Sequence, residues 1–189
     1  VVTGADTGTR VNGSSGDNSF LYTSPTISGA TVKVGYLPAS DTVTDVAYTD
    51  FSIAYSPEAV DGLEVGLAMG ESEETAGSTV DEQTMYAKYS VGAFTVGYQM
   101  SEADGPASSD DVEFTAMGLT YAITDDISIG YNQSTSDMAS ETNDQEATGI
   151  SASFTSGGIT IGGMMNSVDN VSHGTTDAEG YELNISFAF

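Results

Sequence analysis

Gly180-Tyr181-Glu182-Leu183-Asn184-Ile185-Ser186-Phe187-Ala188-Phe189 alternates strictly between apolar and polar side chains. Successive side chains of a strand point to opposite faces, so Tyr181, Leu183, Ile185, Phe187 and Phe189 share one face and Glu182, Asn184, Ser186 and Ala188 the other. The pattern recurs along the chain, and the apolar face is the broader and more aromatic one. A soluble sheet buries its apolar face in a core, whereas a membrane barrel turns it toward lipid and keeps the polar face around water. The second arrangement fits this alternation.

Composition narrows the function. Three Lys and Arg stand against 28 Asp and Glu, a formal net charge of -25, and nucleic-acid binding needs a positive patch that such a chain does not have. No run approaches the roughly 18 to 20 apolar residues of a membrane helix, so insertion in a bilayer requires a closed sheet. Cysteine is absent, which removes disulfides and thiolate metal sites. Val1-Val2-Thr3-Gly4 shows neither an initiator Met nor a signal peptide, and the expectation is a piece of a longer chain.

Period-two segments fall near 18–25, 30–37, 49–57, 63–70, 82–90, 94–100, 113–122, 126–133, 147–155, 159–167 and 181–189, eleven strands with no competing helical period. Their connections alternate in length. Short ones lie at 24–29, 57–62, 90–93, 123–126 and 155–158, and long ones at 38–48, 70–81, 101–112, 134–146 and 167–180. Short turns on a periplasmic rim and long loops on an extracellular rim are the asymmetry of an outer-membrane barrel. The predicted fold is therefore all-β, an antiparallel up-and-down transmembrane β-barrel. The long loops are expected to hold most carboxylates, among them Glu71, Glu73, Glu74, Asp81, Glu102, Asp104, Asp110 and Asp111.

The aromatics supply an independent check, because amphipathic rings settle at the headgroup level. Tyr22, Tyr55, Tyr89, Tyr121, Phe154, Phe187 and Phe189 fall at the short-turn ends of their strands and are the expected membrane-interface belt there. Phe51, Tyr36, Tyr98, Tyr131 and Tyr181 fall toward the other ends. About nine residues at roughly 3.3 Å each, tilted about 45°, span on the order of 21 Å, near the roughly 25 Å of an apolar band.

The opposite parity is polar or small and should line the lumen. It includes Lys33, Asp50, Glu64, Tyr86, Lys88 and Glu182 among many Ser, Thr and Gly residues. Both lysines fall on this face, where they would oppose carboxylates across water and set the field of a pore.

Arg10-Val11-Asn12 followed by Asp17-Asn18-Ser19-Phe20-Leu21-Tyr22-Thr23-Ser24-Pro25-Thr26-Ile27-Ser28-Gly29 resembles the segment after the constriction loop of general bacterial porins, especially the alphaproteobacterial type. The Tyr-x-Leu-x-Ile-x-Phe-x-Phe run is similar to their closing strand, whose final Phe is an assembly signal. The resemblance covers the whole chain and implies strands six to sixteen of a sixteen-stranded barrel, with residues 1–17 ending the constriction loop and 18–189 forming the barrel. It implies Asp6 on that loop and Arg10 on the barrel wall, flanking the constriction. It also implies a homotrimer in the outer membrane, contacts with lipid and lipopolysaccharide, recognition of Phe189 by the barrel assembly machinery, and passive diffusion of small hydrophilic solutes and ions. Glycines and serines inserted between Arg10 and Asn18 depart from the family pattern.

Chemistry beyond a pore has little support in the residues. The single histidine, His173, lies in Val168-Asp169-Asn170-Val171-Ser172-His173-Gly174, whose composition predicts a mobile loop, unlike the fixed geometry a catalytic base needs. No enzyme and no cofactor are expected. The competing readings are a substrate-specific channel and a twelve-stranded barrel enzyme such as a lipase or protease. Loop residues Asp137, Glu141, Asn143 and Asp144 could hold calcium and bridge lipopolysaccharide, without the spacing of a calcium-binding loop.

Overall fold

The computed structural model describes residues 19–39, 47–75 and 78–188, with only the backbone described at Glu74 and Thr75. Asp6, Arg10 and Phe189 lie outside the described residues, as does the 1–17 segment expected to end the constriction loop.

Eleven strands form one antiparallel sheet in chain order: β1 (Phe20–Thr23), β2 (Ala30–Leu37), β3 (Tyr48–Tyr55), β4 (Leu63–Thr75), β5 (Ser78–Val91), β6 (Phe94–Asp104), β7 (Val112–Ala122), β8 (Ile127–Met138), β9 (Gln145–Ser156), β10 (Ile159–Asp169) and β11 (Ala178–Phe187). A tight turn over Val171–His173, with left-handed backbone at Ser172 and His173, interrupts the last connection. Among the described residues β1 and β11 are the two edges of the sheet.

Register puts the apolar parity of neighbouring strands side by side. Leu67 stands between Ile53 and Met85, Tyr98 between Ala87 and Met117, and Ile150 between Tyr131 and Met165. These rows build the outer face, where Tyr98, Met117, Ile150, Met165 and Tyr181 are all exposed. Only Ala103 and Val168 are buried hydrophobic residues among those described. A sheet with almost no core cannot be held together by apolar burial in water, so this outer face needs a nonaqueous environment.

The strands are longer than the alternation of apolar residues predicts. Residues 70–81, expected as a loop, are taken up almost entirely by β4 and β5, and the expected loops 101–112, 134–146 and 167–180 shrink to 105–111, 139–144 and 170–177. Glu71, Glu73, Asp81, Glu102, Asp104 and Asp137 therefore stand on strands. The reason is physical. Ladder hydrogen bonds continue wherever two backbones stay in register, whereas the outward side chains change from apolar to acidic where the apolar band ends. The result is a collar of outward carboxylates in which Glu71 faces Asp81, Asp81 faces Asp104, Glu102 faces Glu113, Glu113 faces Asp137 and Glu146 faces Asp169. At the far end, β11 begins at Ala178, three residues before the strand expected from Tyr181.

At the opposite rim the connections are tight. Gly29 (φ 83°) and Gly62 (φ 79°) adopt left-handed backbone, and a Cβ on either would run into the carbonyl oxygen of Ser56 or Ser90. Each glycine carbonyl accepts a 2.9 Å hydrogen bond from the amide of that same serine. Gly62→Ala should thus cost about 1–3 kcal/mol, combining an unfavourable φ with a clash. Heat-modified gel mobility of the folded protein should show a lower unfolding temperature; an unchanged temperature would mean that the turn relaxes freely.

Candidate functional site

The inner face is the candidate site, and its charges are unevenly placed. On β4 and β5, Glu64 and Lys88 are directly opposite in register, and Lys88 Nζ lies 3.0 Å from Glu64 Oε2. Tyr86 Oη donates a 2.9 Å hydrogen bond to the other carboxylate oxygen, Oε1. The tyrosine ring lies over Gly66, where any Cβ would collide with it. A glycine is therefore what lets the phenol lie flat along the wall and reach Glu64. Both ends of the ion pair remain partly exposed, with 47% of the Lys88 and 35% of the Glu64 side chain accessible, so the pair adds little stability. Its consequence is electrostatic: one of the two described cations is neutralised locally.

Lys33 on β2 stands opposite Thr23 and Ser52, one inner rung away from Asp50, which lies between Gly35 and Gly70. Higher on the same wall Tyr48 Oη donates to Glu82 Oε2 at 2.9 Å. Reading the sequence alone singles out neither Tyr48 nor Glu82. Their shared inner parity was the available signal, and Tyr48 sits one residue before the strand expected from 49. Glu182 on β11 stands apart from this group, opposite Met164 and 3.5 Å from Asn184 Nδ2.

The inner faces of β6 to β10 carry no ionisable side chain at all. Their inward positions are Thr95, Gly97, Gln99, Ser101 and Ala103 on β6, Val112, Phe114, Ala116, Gly118 and Thr120 on β7, Ser128, Gly130, Asn132, Ser134, Ser136 and Met138 on β8, and their equivalents on β9 and β10. Hydroxyls bridge neighbouring strands: Thr84 donates to Ser101 at 2.9 Å, Ser128 and Ser153 are 2.8 Å apart, and Thr155 and Thr160 3.0 Å. Most hydroxyls pair along the lower wall, where the side chains are small, and the bulkier Phe114 and Met138 stand toward the long-loop end. Such a surface offers water continuous hydrogen bonding and holds no charged solute tightly. The inner face is thus two walls, one charged over β2 to β5 and one neutral over five consecutive strands.

Six of the seven belt aromatics are described. Tyr22, Tyr55, Tyr89, Phe154 and Phe187 are exposed on the outer face, and Tyr121 stacks on Phe94 with ring centroids 4.5 Å apart. Among the described residues no three His, Cys, Asp or Glu side chains converge as a metal would need.

The sequence model of a Gram-negative porin family matches residues 1–143, three quarters of the chain. The chain belongs to the Gram-negative porin family. Its sheet is accordingly part of a transmembrane β-barrel, and its place is the bacterial outer membrane. The anion-selective porin from Comamonas acidovorans superposes with a TM-score of 0.77 at 14% identity, over 90% of this porin chain and 59% of that one. OmpT of Vibrio cholerae gives 0.67 at 13% identity, over 89% and 64%. The NanC porin gives 0.53 at 12%, over 90% and 98%. At these identities the likeness concerns the fold. This porin chain spans about six-tenths of the length of the first two structures. No curated protein matches it in sequence.

Proposed function

We propose that the chain forms most of the wall of a general diffusion porin, a water-filled channel through which small hydrophilic solutes and ions pass without turnover. The neutral, hydroxyl-lined inner face of β6 to β10 carries this reading, because it presents width and hydrogen bonding without a binding site. Two unpaired edges cannot face hydrocarbon, so further strands of the same protein complete the barrel. The constriction would then set the charged wall, with Arg10, against loop carboxylates such as Asp6.

With 28 carboxylates in this chain and Lys88 paired to Glu64, the channel should prefer cations. In planar bilayers the complete protein is expected to give large, steady, nearly ohmic conductance. Cation preference should be roughly two- to fivefold at about 0.1 M salt and fall toward unity at about 1 M, where the screening length drops to about 3 Å. No conductance, or current saturated by one solute, would favour a closed barrel or a substrate-specific channel.

The assembly we propose is a homotrimer embedded in lipid and lipopolysaccharide, inserted by the barrel assembly machinery through Phe189. Facing carboxylates such as Glu102 with Glu113 and Glu113 with Asp137 would draw divalent cations from solution toward the lipopolysaccharide headgroups without coordinating them at a built site. Tyr181, on the outward face of the last strand opposite Met165, suits a subunit boundary. Gel mobility in mild detergent should show a heat-sensitive trimer whose boiled subunit exceeds the 19.4 kDa of this chain. A monomer under all mild conditions would contradict the trimer, and a 19.4 kDa subunit would contradict the added strands.

A further inference from the structure

On the inner wall of β8 to β11, side-chain carboxamides lie across the glycines of neighbouring strands. Asn132 and Asn166 stand on either side of Gly149 in one inner row, and a Cβ on that glycine would run into the Oδ1 of both. Gly149 is buried, whereas Asn132 is exposed and Asn166 half-buried. The arrangement repeats alongside, with Ser151 Oγ over Gly130 and Asn184 Oδ1 over Gly162. Glycine thus lets these groups lie against the backbone while they still face the lumen.

Their hydrogen-bonding capacity is unspent. Hydroxyls nearer the short turns bond one another, as Ser128 and Ser153 do at 2.8 Å, but the Asn132, Ser151 and Asn166 side chains make no hydrogen bond to another described residue. A carboxamide carries two donors and an acceptor, and a hydroxyl one donor and two lone pairs. The next inner row runs Gly130, Ser151, Met164 and Glu182. It sets a half-buried thioether side chain and an exposed carboxylate beside the amides. Two rungs across β8 to β10 cover on the order of 7 by 10 Å, the footprint of a pyranose with its hydroxyls.

We propose that Asn132, Ser151 and Asn166, with Met164 and Glu182 beside them, form an adsorption patch for neutral sugars on the lumen wall. Ring hydroxyls both donate and accept, which is what paired carboxamides satisfy, and the C–H face of the ring can rest on Met164. Anionic solutes find no partner here. No Lys or Arg follows Lys88 in the chain, and the one charge of the patch, Glu182, repels them. The patch is open to water, so a sugar pauses on it and moves on. This inference deepens the diffusion-channel reading, and rests on it in taking this face as the wall of a water path.

Saturation-transfer NMR with D-glucose, on the complete protein folded in a detergent without a sugar headgroup, tests the patch without requiring conduction. Glucose should receive saturation in a saturable manner, and an ethylene glycol oligomer of similar mass, poor in hydroxyls, should receive far less. Asn132→Ala combined with Asn166→Ala should weaken glucose binding roughly tenfold, since each lost hydrogen bond is worth about threefold or more. Gly149→Ala keeps both asparagines but pushes their carboxamides aside, and should weaken binding at least about threefold. Heat-modifiable gel mobility confirms that each variant is folded. No transfer to glucose, equal transfer to glucose and the oligomer, or undiminished binding in either variant would overturn the proposal. In planar bilayers glucose should add current noise that the double variant lacks. Glucose binding without conductance would refute the diffusion channel and leave the patch standing, whereas conductance without glucose binding would do the reverse.

Discussion

Leu119→Arg is expected to prevent assembly, whereas Thr120→Arg, one residue further along the same strand, is expected to assemble normally. Leu119 points outward between Val96 and Tyr131, within the apolar rows of the sheet. Arginine at the middle of a barrel's lipid face costs about 2–4 kcal/mol. That is a large part of a typical folding free energy. Thr120 points the other way, between Thr95 and Gly130, where water solvates a guanidinium. The fraction of refolded protein that keeps its heat-modifiable gel mobility measures both. Equal yields for the two variants would mean that the faces of β7 are misassigned, and with them the division between lipid and lumen.

Placing arginine on the neutral wall should also reverse the ion preference. Thr120, Gly130 and Ser151 form one inner row across β7, β8 and β9, so Thr120→Arg with Ser151→Arg puts two cations on either side of a glycine. No carboxylate on the inner faces of β6 to β10 can pair with them, unlike Lys88, which Glu64 holds at 3.0 Å. The field of an unpaired charge in a water path decays over about 8 Å at physiological salt, so it reaches ions passing along the wall. The zero-current potential across a salt gradient should change sign from cation-preferring to anion-preferring. An unchanged sign would show that ions do not pass along this wall.

Much of this architecture is legible in the residues, because a period of two combined with lipid on one side leaves little freedom. The Gly180–Phe189 run identifies its own faces, and the same logic places Lys33, Asp50, Glu64, Tyr86, Lys88 and Glu182 on the inner parity. What stays hidden has specific causes. The upper halves of β4, β5 and β8 are polar on both faces, so alternation gives no signal although the backbone ladder continues to Thr75, from Ser78 and to Met138. The order of the His173 connection depends on Asn143, Asp144 and Gln145, about thirty positions earlier in the chain, and composition sees only neighbours. The contact of Tyr86 with Glu64 across Gly66 likewise requires the register. The roles of Arg10 and Asp6 at the constriction, and of Phe189 in assembly, rest on resemblance alone.

Every strand of this sheet pairs only with its neighbours in sequence, and this bears on how the protein reaches the membrane. Each hairpin brings together residues a short distance apart along the chain, so the entropy of closing its loop is small and the sheet can grow one strand at a time. The exception is the seam that must join the two ends of the finished sheet, whose partners lie as far apart in sequence as the barrel allows. Closing that seam carries the largest loop-closure cost of the fold. Until it forms, a broad apolar face and two rows of unsatisfied backbone groups remain open to neighbouring chains. A carboxylate-rich collar that repels its own copies would keep those intermediates apart while the barrel waits to close.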